Sequence, residues 1–210
     1  MIIAIDFDGV LFNVERFKED YYRLFRGFGF SRKTHQEAYV HGVTKGKGVY
    51  SRLHHFRYLQ RVHPRISPER LEKGVAALLK NSSHYVYHDA VPFLSSLKEK
   101  GARFVLLSSG RSFQREKVEE SGLSQFFTQR FIITRSIKSA AMLRAVKRFP
   151  AKNTFFLDDK KNVVDDMKKE YPEIQTIQVR RFMRHPRSTH SDYVVKNLSE
   201  ARRIVQMYVR

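Results

Sequence analysis

The sequence predicts an α/β fold: a doubly wound, Rossmann-like parallel sheet core with an inserted all-helical cap domain. Three observations carry this. Short apolar runs recur and are mostly continuous rather than alternating, as for strands covered on both faces of a parallel sheet. Helical patterns separate the later runs, which makes βαβ units. From Phe12 to about His88, between the first run and the second, no strand is legible.

The elements follow in chain order. Five runs read as buried strands: Ile2–Phe7, Phe104–Ser108, Phe131–Thr134, Thr154–Leu157 and Ile174–Val179, with a weaker sixth at Tyr193–Val195. The fifth is interrupted by Gln175 and Gln178, so it is expected nearer an edge. Asp89 is placed to cap a helix that ends near Gly101. A second helix runs from about Ser112 to Gly122, a residue suited to a helix C-terminus. A third follows Ser136, a fourth follows Asp159 and stops before Pro172, and a last one begins near Ser199. Within the insert, Val14, Phe17, Tyr21, Leu24 and Phe28 recur at helical spacing, as do Val49, Leu53, Phe56, Leu59 and Val62. Ser67-Pro68 reads as an N-cap and first-turn proline before the apolar face of Leu71, Val75 and Leu78. The expected division is a core of residues 1–11 and 88–210 and a cap of residues 12–87.

Bulk properties set the limits. With 210 residues, 41% of them hydrophobic, the chain can bury one core domain and a small accessory one. It has no cysteine, which excludes disulfides, thiol nucleophiles and thiolate metal sites and suits a reducing cytoplasm. No basic leader precedes Asp6, and no apolar run approaches the roughly 20 residues of a membrane span, so a soluble cytoplasmic protein is expected. The 40 Lys and Arg against 21 Asp and Glu give a formal charge of +19. Such a surface steers phosphorylated ligands or polyanions inward; a generally basic proteome would give the same number.

Four groups of residues carry chemistry. Asp6-Phe7-Asp8-Gly9 ends the first apolar run, with two carboxylates expected on one side of the chain and a glycine for a tight turn. Paired carboxylates can hold a divalent cation or divide nucleophile and acid/base work, although Asp and Gly are also ordinary turn residues. Ser108-Ser109-Gly110-Arg111 ends the second run with hydroxyls and amides fit for phosphate, or with a plain helix cap. Lys138 stands before a helix, where a solvated lysine is commonplace. Asp158-Asp159 ends the fourth run, an expensive place for acids without a balancing cation.

Together and in this order, the four groups resemble the signature motifs of the haloacid dehalogenase superfamily of phosphohydrolases, and the insert lies where subclass C1 members carry a helical cap. The resemblance implies that Asp6 is the nucleophile, forming an aspartyl-phosphate, and that Asp8 is the general acid/base. It implies that Ser108 and Lys138 hold the phosphoryl group, with Ser109, Gly110 and Arg111 as further substrate-binding residues. A Mg2+ cofactor would be bound by Asp6, the Asp8 backbone carbonyl and Asp159, with Asp158 supporting from behind. Many relatives have a further aspartate where this chain has Val163, so its fourth motif is of the shorter Asp-Asp kind.

Two segments bear on the substrate. His41–Gly48 separates two helical patterns; there Lys45 and Lys47 are placed to meet an anionic leaving group, or simply to be solvated. Arg180, Arg181, Arg184 and Arg187 follow the fifth strand in an acid-free run that reads as a phosphate clamp or a solvated loop. Seven of nine histidines fall between His35 and His88, without cysteine or a zinc motif, and read as cap residues. The leading expectation is a phosphatase of a small phosphorylated metabolite such as a sugar phosphate or nucleotide. A nucleic-acid-end phosphatase and a basic nucleic-acid-binding protein with little catalysis are the alternatives. Phosphotransfer to another acceptor uses the same intermediate, and dehalogenation is remote because it does not need Asp8.

Overall fold

The computed structural model describes residues 1–127, 132–134 and 153–208. Six strands form one sheet: β1 (Ile2–Ile5), β2 (Arg103–Ser109), β3 (Ile132–Thr134), β4 (Thr154–Asp158), β5 (Gln175–Val179) and β6 (Tyr193–Val195). Their order is β3-β2-β1-β4-β5-β6, and every pairing is parallel. From β1 the chain builds outward on one side through β2 and β3, then returns to the other side of β1 at β4. The reversal lies between β1 and β4, and crevices at such switch points are where open α/β sheets bind ligands. The register Ile5↔Leu106 and Ile5↔Leu157 brings the ends of β1, β2 and β4 to one sheet edge.

Alternation along β1 sends Ile3 and Ile5 to one face and Ala4 to the other. The first face packs on α5 (Ala90–Glu99) and α8 (Leu198–Gln206), through Phe93, Leu94, Leu97, Ala201 and Val205. The second packs on α7 (Lys161–Glu170), with Ala4, Leu107, Phe156, Val164 and Met167 in one cluster. β5 lies one strand in from the edge. Its Gln178 is fully buried because its amide is used completely: Nε2 donates to Asp159 O and Pro186 O, and Oε1 accepts from Ser188 N–H.

Between β1 and α5 lie four further α-helices: α1 (Val14–Gly27), α2 (Arg32–Lys45), α3 (Arg52–Val62) and α4 (Pro68–Leu79). The chain leaves and re-enters the sheet layer through paired segments: Asn13 N–H donates to Tyr85 O and Tyr87 N–H to Leu11 O. α1 buries Phe17, Tyr21 and Phe25; α4 buries Leu71, Val75 and Leu79, with Ser67 accepting from Arg70 N–H as its cap. Three expectations need correction. His41–Gly48 is not a connecting loop throughout, because α2 runs to Lys45. That helix buries only Ala38 and Gly42 and so shows no apolar stripe. Leu53 and Val62 are exposed, the buried face of α3 being His55, Phe56 and Leu59. Asp89 stands at the N-cap of α5 but spends its carboxylate on Arg181 and on Leu198 N–H. Among the described residues no helix is long and apolar enough to cross a membrane.

Candidate active site

β1 ends at Ile5, so Asp6, Asp8 and Gly9 belong to the turn that follows it. Leu11 and Phe12 N–H both donate to Phe7 O and Gly9 N–H donates to Phe12 O, which curls the segment back on itself. Strand alternation no longer governs here, and the two carboxylates diverge instead of sharing a side. Asp6 is buried and accepts from Phe7 N–H at 2.8 Å. Asp8 turns toward α6 (Ser112–Glu120), where Lys117 Nζ donates to Oδ1 at 2.6 Å and Oδ2 at 2.8 Å.

Lys117 was not singled out from the sequence, and neither was its neighbour Gln114, whose Nε2 donates to Ser108 Oγ at 3.0 Å. Both are buried. A signal existed: Gln114 and Lys117, three apart, share a stripe with Phe113 and Val118, the only large apolar residues of that helix. The Lys117 ammonium lies 5.2–5.7 Å from the ring centroids of Phe7, Phe12 and Phe17, which replaces some of the hydration lost on burial.

At the end of β4, Asp158 is fully buried and accepts from Lys160 N–H at 2.9 Å. Asp6, Asp158 and Asp159 each place one carboxylate oxygen within 4.8 Å of the others. Three buried carboxylates so close repel one another unless a cation stands among them. The donors are all hard oxygens, a set suited to a divalent cation such as magnesium. Gly9 is part of the same construction. Its φ of +81° suits glycine, and a Cβ there would lie 2.4 Å from Asp159 Oδ2. The close approach of the β1 turn to Asp159 therefore needs a residue without a side chain. Asp158 places a carboxylate oxygen in this cluster, and the Asp8 carboxylate does not join it.

A cavity of about 800 Å³ opens over these groups. Asp8, Asp159, Lys117 and the loop residues Ser109, Gly110 and Arg111 line it, with Asp6 and Ser108 buried beneath. Its far wall belongs to the helical insert. Lys45 and Lys47 are exposed and do not line it, whereas Gly48, Val49 and Tyr50 of the same stretch do. Arg111 Nη2 donates to Gly46 O at 2.7 Å and fixes that stretch to the sheet layer. Lys138 lies outside the described residues.

The arginine run is mostly spent on the protein itself. Arg180 donates to the carbonyls of Met183 and His185. Arg181 donates to Val10 O and Asp89 and lies over Tyr87 at 3.6 Å. Arg184 pairs with Glu15, and Arg187 is exposed.

Comparison with known proteins agrees with this geometry. A family model for haloacid dehalogenase-like hydrolases matches residues 1–165. No curated protein sequence matches the chain. In structure, the chain is similar to a haloacid dehalogenase-like hydrolase from Burkholderia xenovorans LB400, with a TM-score of 0.78 at 20% identity over 100% of this chain and 98% of the other. A HAD phosphatase from Thermococcus onnurineus gives 0.63 at 18% identity over 97% of each chain. An L-2-haloacid dehalogenase from Xanthobacter autotrophicus gives 0.64 at 17% identity over 98% of each. The likenesses at this identity concern the fold, and they include both phosphatase and dehalogenase.

Proposed function

This chain belongs to the haloacid dehalogenase-like hydrolases, and from that premise we propose that it is a phosphomonoesterase acting through an aspartyl-phosphate on Asp6. The observation that carries the choice is the position of Asp8. A dehalogenase needs a nucleophilic carboxylate, but the halide leaves without a proton. An alkoxide leaving group requires one, and Asp8 is a second carboxylate on the cavity wall, separate from the Asp6–Asp158–Asp159 cluster and held by Lys117.

In the first step an Asp6 oxygen attacks phosphorus, the ester P–O bond breaks, and the hydrogen-bonded Asp8–Lys117 pair gives up a proton, delivered through Asp8, to the departing alcohol oxygen. In the second, Asp8 accepts a proton from water as that water attacks phosphorus, and the bond to Asp6 breaks. Ser108, oriented by Gln114, and the loop Ser109–Arg111 offer donors to the phosphoryl oxygens, and Lys138 is proposed for the same duty from its motif. Mg2+ held by Asp6, Asp159, the Asp8 carbonyl and, in this arrangement, Asp158 would supply neutralisation of the phosphoryl charge. The substrate we favour is a small phosphorylated metabolite handled in the cytoplasm, since three of the four arginines that would clamp a polymer are engaged by partners within the chain.

The test is phosphate release from sugar phosphates, nucleotides and end-phosphorylated oligonucleotides, beside halide release from 2-chloropropionate. We expect magnesium-dependent phosphate release that Asp6→Asn abolishes, greatest on a small ester. Halide release without phosphate release would overturn the reading, and preference for oligonucleotides would move the substrate to nucleic-acid ends.

A further inference from the structure

The cavity is much larger than a phosphoryl group needs. At about 800 Å³ it falls in the upper part of the ~300–1,000 Å³ range of small-molecule pockets. The space beyond Asp8 and Lys117 is bounded by an unbroken run of rings. Phe17 and Phe113 have centroids 6.1 Å apart, Phe113 and Tyr50 5.2 Å, and Tyr50 and Tyr39 5.0 Å with planes 18° apart. Tyr21 closes the run at 5.7 Å from Phe113. All five rings line the cavity.

The run begins at the reacting groups. Phe113 is one helical turn from Lys117 on α6, and residues four apart on a helix are neighbours. Phe17 touches both, its ring lying 5.4 Å from Lys117 Nζ. A body attached to a phosphate at Asp6 and Asp8 therefore meets ring surface first.

Over this run of rings, two of the three tyrosine hydroxyls are engaged with the protein. Tyr21 and Tyr50 hydroxyls meet at 2.5 Å, and Tyr50 continues to His55 Nδ1 at 2.7 Å. Burial, the main cause, raises the pKa of both phenols, so they remain neutral. Of the cations on the wall, Lys117 faces Asp8, Lys18 faces Glu15, Lys161 faces Asp165 and Arg111 faces Gly46 O, while Lys160 is exposed and follows Asp159 at the end of β4. The segment carrying Tyr50 is preset by left-handed conformations at Lys47 (φ 57°) and Gly48 (φ 81°) and by Ser51 N–H donating to Gly42 O.

We propose that the substrate's leaving group is aromatic: an alcohol whose planar ring stands close to the ester oxygen and packs among Phe113, Tyr50 and Tyr39. This rests on the phosphomonoesterase reading and specifies its substrate class. Aromatic surfaces of this kind favour offset or edge contact with another ring over an aliphatic body of equal size.

The experiment compares kcat/KM for benzyl phosphate, cyclohexylmethyl phosphate and glycerol 1-phosphate. All three release primary alcohols, so the comparison reports the pocket rather than the reactivity of the ester. We expect benzyl phosphate to exceed glycerol 1-phosphate by about tenfold or more and cyclohexylmethyl phosphate by about threefold. Phe113→Leu and Tyr50→Leu, which keep apolar bulk, should bring the benzyl to cyclohexylmethyl ratio near one. Equal or better turnover of glycerol 1-phosphate, or an unchanged ratio in both variants, would overturn the proposal while leaving the phosphatase reading intact. Absence of phosphate release from all three would count against that reading instead. Calorimetry with benzylphosphonate and methylphosphonate then tests the pocket alone: tighter binding of the benzyl compound supports it, and equal binding rejects it.

Discussion

Lys117 brings an ammonium group among three phenyl rings and meets the carboxylate of Asp8 there, with its own side chain 5% exposed and that of Asp8 28%. Replacing both members of such a pair by apolar residues is often neutral for stability, whereas removing one leaves the other without its counter-charge. Asp8, on the cavity wall, is the member that water can reach. Lys117→Met is therefore expected to lower the melting temperature modestly, since the thioether fits among Phe7, Phe12 and Phe17 and the Asp8 carboxylate turns to solvent. It is expected to lower kcat by about a hundredfold, within the range for a disturbed acid/base group. Thermal melts and steady-state kinetics on the same preparation check both halves; a loss of stability with normal turnover would make Lys117 a packing residue. Legibility at this scale was uneven. Asp6, Asp8 and Asp159 stand out because acids at the ends of apolar runs are costly. Lys117 and Gln114 were hidden because a polar residue on a polar helix announces nothing, and only their spacing with Phe113 and Val118 marks the buried side.

At the scale of elements, the helical insert owes part of its stability to histidines that stay neutral. His55 is completely buried on α3, stacked on Phe25 at 5.0 Å, and hydrogen-bonded to Tyr50. Burial, with His35 nearby, lowers its pKa from 6.5 to about 3. His35 on α2 is lowered to about 4, again chiefly by burial, with Arg32 adding to the effect. In the unfolded chain both take up protons near pH 6.5; in the fold they resist until the lower values. The unfolded state thus binds more protons across that window, so the stability is fully present above pH 6.5 and falls as the pH drops toward 3. One pKa unit corresponds to ~1.4 kcal/mol, so at pH 4.5 His55 alone should cost about 2–3 kcal/mol relative to neutral pH. Denaturant unfolding of wild type and His55→Phe between pH 7.5 and 4.5 checks this. The variant should show a shallower decline, and parallel curves would exclude His55 as the source. These helices were readable in proportion to their stripes. α1 and α4 show the apolar spacing of a helix packed on one side. α2 packs through Ala38 and Gly42, where a Cβ on Gly42 would already stand 3.0 Å from Ser51 O. Close contact made by small residues leaves no hydrophobic periodicity to find.

At the scale of the whole molecule, the sheet order follows from the alternation of apolar runs and helices, and the site follows from the sheet, because β1, β2 and β4 end together. What the sequence could not place was the partner of each charge. The formal +19 suggested a clamp in the arginine run, yet Arg181 is held in a buried pair with Asp89 and Arg180 is folded onto its own loop. The excess charge then acts as a field rather than as a set of contacts. A field of this size attracts a phosphate dianion from a distance and raises the encounter rate, and dissolved salt weakens it over a Debye length of about 10 Å at 0.1 M. It does not act on the chemical step once the substrate is bound within the cavity. For an anionic ester we therefore expect kcat/KM to fall several-fold between roughly 20 mM and 300 mM salt while kcat changes little. Kinetics at fixed magnesium and pH across that range measure both. A fall in kcat of the same size would locate the salt effect at the reacting groups, where Asp8 and Lys117 face the cavity, and a flat kcat/KM would mean that the charge serves something other than substrate capture.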